Sequence, residues 1–228
     1  MALHAAMIHR MDLEVGRVLE QLEAMGAAED TLTLFLSDNG ASAEIMVRTD
    51  GHDPKAPPGS AASYLCLGPG WSTASNTPFR RHKTWVHEGG CATPLIAHWP
   101  AGIRDAGAIR HDVGHVIDVV PTILELAGVS AADLNGPQMP GQSLVASFKT
   151  AAPVRRPSPL WWQHEGNRAI RDGDWKLVAA KGESWELFDL AEDRTEAHNL
   201  AESEPERVAE MTERWEAMWN EIQLTAAK

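Results

Sequence analysis

Apolar residues near the start of the chain recur at three- and four-residue steps. Ile8, Met11, Val15, Val18, Leu19, Leu22 and Met25 fall on one stripe and predict an amphipathic helix, with Gly26 at the C′ position. The apolar, β-prone run that follows, residues 31–37, has the length of a buried strand and ends at Asp38-Asn39-Gly40. A second such run, residues 95–99, stops at Pro100. Helix, short turn and buried strand in that order predict an α/β unit with a mostly parallel sheet. In open α/β sheets ligands bind beyond the carboxyl ends of the strands, which makes residues 38–40 chemically suggestive.

Residues 41–78 are rich in Gly, Pro, Ser and Ala without clear periodicity, so they predict a long irregular segment. Asp118 is placed as an N-cap, Pro121 in the first helical turn, and Ile123, Leu124 and Ala127 facing inward ahead of Gly128. A proline-spotted loop over 136–159 marks a boundary. Past it, short strands at 160–162, 169–171, 175–178 and 185–188 alternate with tight turns at Asp172-Gly173-Asp174 and Lys181-Gly182-Glu183. This texture predicts antiparallel hairpins. A last helix over 205–222 carries Val208, Met211, Trp215, Met218 and Ile222 on one face. The expected architecture is α/β: part of a mixed, mostly parallel sheet flanked by helices in 1–150, then a small antiparallel sheet with a C-terminal helix in 151–228.

Composition narrows the function. Apolar residues at 43% and charged residues at 23% are an ordinary globular mixture. A formal net charge of -12 argues against a nucleic-acid surface, although it leaves room for a local anion pocket. No apolar run reaches membrane-spanning length, so no membrane partner is expected. Two cysteines, Cys66 and Cys91, are too few for a disulfide framework or a zinc cluster.

Two short constellations carry candidate chemistry. Asp38 and Asn39 offer a carboxylate and an amide oxygen, hard donors suited to Ca²⁺ or Mg²⁺, although Asp-Asn-Gly is also a common turn. Lys83 lies ahead of His87-Glu88-Gly89-Gly90, where paired glycines permit close backbone approach.

Five segments in order give these pieces a context. Residues 31–40 (TLTLFLSDNG) resemble the strand and metal-ligand pair of sulfatases, and 76–90 (NTPFRRHKTWVHEGG) resemble their Lys-x-x-x-x-Glu-Gly-Gly block, followed by TPLIAHWP at 93–100. Residues 115–128 (HVIDVVPTILELAG) are similar to the family's Asp-x-x-Pro-Thr helix, and WELFDL at 185–190 with EAHNL at 196–200 to its C-terminal signature. The closest likeness is to bacterial arylsulfatases of the formylglycine type, in the alkaline phosphatase superfamily. The resemblance implies that 1–150 is the C-terminal part of the catalytic domain. It assigns Asp38 and Asn39 to a Ca²⁺ ion and makes Lys83 a catalytic, sulfate-binding residue. Glu88 and the glycines would support the Lys83 loop, His87, His111 and His115 would be satisfied polar residues, and Trp85 would line the substrate mouth. A bacterial setting, periplasmic or cytoplasmic, goes with that likeness.

The departures matter as much. The family's nucleophile is formylglycine made within Cys-x-Pro-x-Arg, and neither Cys66 (before Leu67-Gly68-Pro69) nor Cys91 (before Ala92-Thr93-Pro94) fits it. The upstream Asp-Asp metal pair, the Lys-x-His segment and a further catalytic His are missing as well. The nucleophile is expected in an N-terminal half of the same protein, the chain's implied partner, and the chain alone is expected to be inactive. Arg194 stands where the family more often has Pro, read as a surface change of little consequence. The implied substrate is a small-molecule or carbohydrate sulfate ester. The alternatives are a phosphoesterase of the same superfamily and a non-catalytic, partner-binding fragment.

Overall fold

The computed structural model describes residues 1–45, 51–130, 134, 136 and 139–226. Residues 46–50 of the irregular segment and 137–138 of the boundary loop therefore lie outside the described residues. Two compact units make up the chain: Met1–Glu14, Asn39–Thr93 and Pro159–Lys228 form one, Val15–Asp38 and Pro94–Ser158 the other. Residues 39–93, expected with the first 150, thus fold with the C-terminal sheet.

Helix α1 (Ala2–Ala24) ends as its sequence predicts. Gly26 has φ 67°, the Ala27 amide donates to the Leu22 carbonyl, and the Gly26 amide donates to the Glu23 carbonyl. Those two bonds are the Schellman pattern, which a left-handed glycine completes without steric cost. The apolar stripe of α1 is partly covered: Val15, Leu19 and Leu22 are half-buried, while Ile8, Met11, Val18 and Met25 are exposed.

In the second unit, β1 (Thr33–Leu36) pairs with β2 (Leu95–His98). The pairing is antiparallel, with Thr33 opposite His98 and Leu36 opposite Leu95, where a mostly parallel sheet was expected. A continuous apolar run encodes strand formation and burial but not the direction of its neighbour, and mixed sheets accept antiparallel pairs. The burial expectation also fails among the described residues, since Phe35 and Ile96 are exposed. Helix α4 (Val119–Leu126) follows a 3₁₀ turn at Val116–Asp118, and the short helix α5 (Val145–Lys149) comes after it. Asp118 precedes α4 but does not cap it with its side chain. Its carboxylate instead accepts from the His115 and Gln142 amides and pairs with Arg156, closing the 3₁₀ turn. Ile123 and Ala127, expected inward, are exposed, and buried Thr122 faces the interior, donating to the Asp118 carbonyl.

The first unit holds two helices that sequence periodicity did not predict or left short. Helix α2 (Gly68–Asn76) lies inside the segment read as irregular, started by Pro69 in its first turn. Its two glycines and single large apolar residue left no stripe to read. Helix α3 (Glu88–Cys91) is one turn that begins at the Glu-Gly-Gly triplet.

Strands β3 (Leu160–His164), β4 (Asn167–Asp172), β5 (Trp175–Ala179) and β6 (Glu186–Asp189) form an antiparallel meander in sequence order, as predicted. The turns contain Gly166, Gly173 and Gly182, all at positive φ. Alternation along the strands separates two faces. Ala169, Val178 and Phe188 pack with Val86 on one, and Ile170, Leu177 and Leu187 pack with Met211 and Trp215 of α6 (Pro205–Ala226) on the other. The helix continues past 222, and Ile222 is exposed rather than part of the inward face. The sheet is thus covered by α6 on one side and by the segment carrying Lys83 and Glu88 on the other. No helix among the described residues is long and apolar enough to cross a membrane.

Candidate functional site

Asp38 follows β1 by two residues and is exposed, with no hydrogen bond or ion pair among the described residues, and Asn39 is half-buried. From Gly40 onward the chain is stitched to the Lys83 segment. The Gly40 amide donates to the Gly90 carbonyl (2.9 Å) and the Lys83 amide to the Ala41 carbonyl (3.0 Å). Asn76 completes the seam: its Oδ1 accepts from the Ala41 amide (3.0 Å), and its Nδ2 donates to the carbonyls of Gly89 (2.8 Å) and Arg81 (3.1 Å). A Cβ on Gly40 would overlap the Gly89 carbonyl, and one on Gly90 the Trp85 carbonyl. The glycine pair therefore serves backbone-to-backbone packing of the loop on its own neighbours.

Lys83 lies between two left-handed residues, Arg81 (φ 63°) and Thr84 (φ 94°). For β-branched Thr84 that conformation is strained, and such strain persists only where surrounding contacts enforce it. One enforcing contact is the Asn167 Nδ2 donating to the Thr84 carbonyl (3.1 Å). The Lys83 side chain is 42% exposed, and among the described residues its ammonium reaches Glu44 alone, at 3.4 Å. Trp85 is edge-on to His82 (4.6 Å) and half-buried beneath Arg81.

Beneath the loop lies a charged cluster that sequence reading missed. Lys176, on β5, is fully buried, with Nζ 2.8 Å from Glu88 Oε1 and 3.0 Å from Glu196 Oε1. Arg194 closes the other side, donating Nε and Nη2 to Glu88 Oε2 (3.2 and 3.0 Å) and lying over Phe79. Arg194 is thus a ligand of Glu88, not an inconsequential surface change. Burial alone would raise the Glu88 carboxyl, but Lys176 and then Arg194 hold it below the usual range. Burial likewise favours neutral Lys176, and its anionic neighbours overcome this and raise it. No local pattern flags this cluster, because its members lie up to 108 residues apart and Lys176 sits in an otherwise ordinary strand.

His87 is fully buried with Nε2 3.1 Å from Glu186 Oε2, and its Nδ1 has no partner among the described residues. Desolvation, opposed by Glu186, lowers it to about 4, so the ring is neutral near pH 7. His115 accepts from the Ile117 amide and caps the 3₁₀ turn, its pKa also lowered by burial. Burial pushes the Cys91 thiol up, which makes a poor thiolate, and both cysteines are free.

A divalent cation fits the donor chemistry at Asp38 and Asn39, an unpaired exposed carboxylate beside an amide. Two residues supply only part of an oxygen shell, and no cluster of three His, Cys, Asp or Glu occurs among the described residues.

Comparison with known proteins gives this arrangement its class. Residues 1–129 match the sulfatase family, and 80–223 match the C-terminal region of N-sulphoglucosamine sulphohydrolase. The chain belongs to the sulfatase family, a family of sulfuric ester hydrolases. An uncharacterized sulfatase of Schizosaccharomyces pombe is 32% identical over 237 residues, taking in 94% of this chain and 42% of its own length. The arylsulfatase of Klebsiella aerogenes is 36% identical over 140 residues, 57% of this chain and 30% of its own. The fold is also that of Ps i-CgsB (TM-score 0.74, 24% identity, 94% of this chain and 42% of that one). A phosphonate monoester hydrolase of Agrobacterium radiobacter shares it too (TM-score 0.61, 19% identity, 94% and 40%). The chain spans less than half the length of each of these proteins.

Proposed function

We propose that this chain forms the C-terminal part of a sulfuric ester hydrolase in which Lys83 holds the sulfate and Asp38 and Asn39 hold a divalent cation, Ca²⁺. The carrying observation is the seam that fixes the Lys83 amide on the Ala41 carbonyl, two residues from Asn39. With its backbone pinned between two left-handed residues, the Lys83 ammonium moves only through its own side-chain torsions. It makes a charge-assisted contact to a sulfuryl oxygen and opposes charge that builds there as the ester bond breaks. The cation, when bound, supplies Lewis-acid polarisation of the sulfate and a template for its orientation. The family's Cys-x-Pro-x-Arg nucleophile motif has no counterpart in residues 1–228. We read residues 1–150 as catalytic-domain sequence and 151–228 as a C-terminal subdomain, on which residues 39–93 pack.

The fold alone does not separate sulfate from phosphate or phosphonate esters, since the phosphonate monoester hydrolase shares it. The Lys-x-x-x-x-Glu-Gly-Gly block favours sulfate. Among sulfate esters, aryl sulfates and sulfated sugars both fit the family matches, and Ps i-CgsB was solved with k-i-k-neocarrahexaose.

The 228-residue chain alone turns over no aryl sulfate. Co-expression with a relative's N-terminal fragment and the formylglycine-generating enzyme restores turnover, and Lys83→Ala then lowers kcat by about 10²–10³. Lys83→Arg rescues only partly, because a planar fork does not replace a compact ammonium. An unchanged kcat in Lys83→Ala, with the complex intact, makes Lys83 an ordinary surface charge. The chain alone binds Ca²⁺ no tighter than about millimolar. Calorimetry giving micromolar affinity that survives Asp38→Ala removes Asp38 from the site.

A further inference from the structure

A cavity of about 440 Å³ opens over the C-terminal sheet and α6. Its walls are aromatic. Trp215 and Trp219, one helical turn apart, stack with Trp161 at 5.5 and 5.7 Å, while Trp185 stands at 68° to Trp215 with centroids 5.9 Å apart. Packing accounts for the deeper rings: Trp161 Nε1 donates to the Trp215 carbonyl and Trp215 Nε1 to that of Trp162.

Packing does not account for the polar groups at the rim. Trp185, Trp219, Gln163 and the exposed Glu216 are among the residues that line the cavity, and their side chains carry two indole N–H groups, an amide and a carboxylate. None of the four has a hydrogen-bonding or ionic partner among the described residues. Arg168 lies over Trp185 at 4.3 Å, and among the described residues its guanidinium otherwise makes a single long 3.4 Å contact to the Glu183 carbonyl, leaving donors to spare.

We propose that this cavity is a saccharide-binding site, separate from the chemistry at Lys83. A pyranose has an apolar C–H face for an aromatic wall and hydroxyls that both donate and accept. The rim offers donors (two indoles, Arg168, Gln163) and acceptors (Glu216, Gln163) around such a wall. Two other aromatic-site ligands fit worse. A quaternary ammonium meets the Arg168 cation already on Trp185. A flat nucleobase needs a parallel slot, whereas Trp185 and Trp215 make a corner. The proposal does not depend on the sulfatase reading.

The test titrates the full chain with hexaoses of β-1,4-glucose, α-1,4-glucose and β-1,4-galactose, each unsulfated and sulfated, following tryptophan emission and calorimetry. At least one hexaose binds at millimolar concentration or below. Glu216→Gln and Gln163→Ala, both outside the packed core, each weaken it several-fold, and Trp219→Ala weakens it about tenfold, the size of one lost aromatic stacking contact. Thermal unfolding of Glu216→Gln and Gln163→Ala stays unchanged, which separates lost binding from lost folding even if Trp219→Ala unfolds. Absence of binding by all six sugars overturns the proposal. So does binding that is indifferent to Glu216→Gln, Gln163→Ala and Trp219→Ala, or binding of tetramethylammonium in preference to every sugar.

Discussion

His87 is a buried ring with one nitrogen engaged and the other without a partner among the described residues. Desolvation disfavours its protonated form, so the folded pKa of about 4 lies below the ordinary 6.5. The stability this contributes is complete above about pH 6.5 and is lost as the pH falls towards 4, on the order of 3 kcal/mol if the whole shift is realised. His115, also lowered by burial, acts in the same window, while Glu196, raised by burial, acts in the opposite sense as pH rises above its unfolded value. The decisive measurement is therefore a difference. His87→Gln, which keeps a hydrogen bond to Glu186, flattens the fall in unfolding free energy between pH 6.5 and 4.5 relative to wild type. Parallel curves for the two proteins place the pH dependence elsewhere.

At the level of elements, the sheet of 160–189 has its two sides committed to different tasks. One face packs on α6, and the other holds Val86 and presents Lys176 to Glu88 and Glu196. Replacing Lys176 by Met leaves two buried carboxylates without their shared cation. Removing one partner of a buried pair destabilises by about 3–5 kcal/mol, which thermal or urea unfolding resolves. Loss of under about 1 kcal/mol would mean that water or Arg194 already satisfies the carboxylates.

These elements show what sequence patterns carry. The hairpins were legible because Asp172-Gly173-Asp174 and Lys181-Gly182-Glu183 combine turn chemistry with alternating apolar neighbours. The Schellman end at Gly26 was legible for a similar local reason. Asp38, Asn39 and Lys83 are singled out by family motifs alone, while the place of Arg194 beside Glu88 is not legible in them. Arg194, Lys176 and Asn76 act through partners remote in sequence or through backbone carbonyls, neither of which leaves a local trace. Strand direction in the β1–β2 pair was likewise invisible, because an apolar run reads the same whichever way its neighbour points.

Across the whole chain, the second unit leaves large apolar side chains in water. Phe35, Ile96, Val120 and Ile123 are all exposed, and an open trough of about 500 Å³ is lined by Leu32, Leu34, Trp99 and Ile123 among others. Such surfaces on a soluble chain mark interaction sites or association liabilities. The 228-residue chain is expected to self-associate in sedimentation runs as concentration rises, and Ile123→Glu to reduce this without lowering the unfolding midpoint. A species of 24.9 kDa at every concentration would contradict the expectation.

The Lys176–Glu88 bond also sets a schedule during synthesis. Its partners are 88 residues apart, so the ribosome delivers Glu88 well before the strand that holds it. At ordinary elongation rates the delay is about 4–18 s. During that interval the Lys83 segment lacks both the cation beneath Glu88 and the sheet face on which Val86 rests. A premature stop anywhere between the two would therefore release a chain whose Lys83–Gly90 segment is intact in letters and unsupported in space.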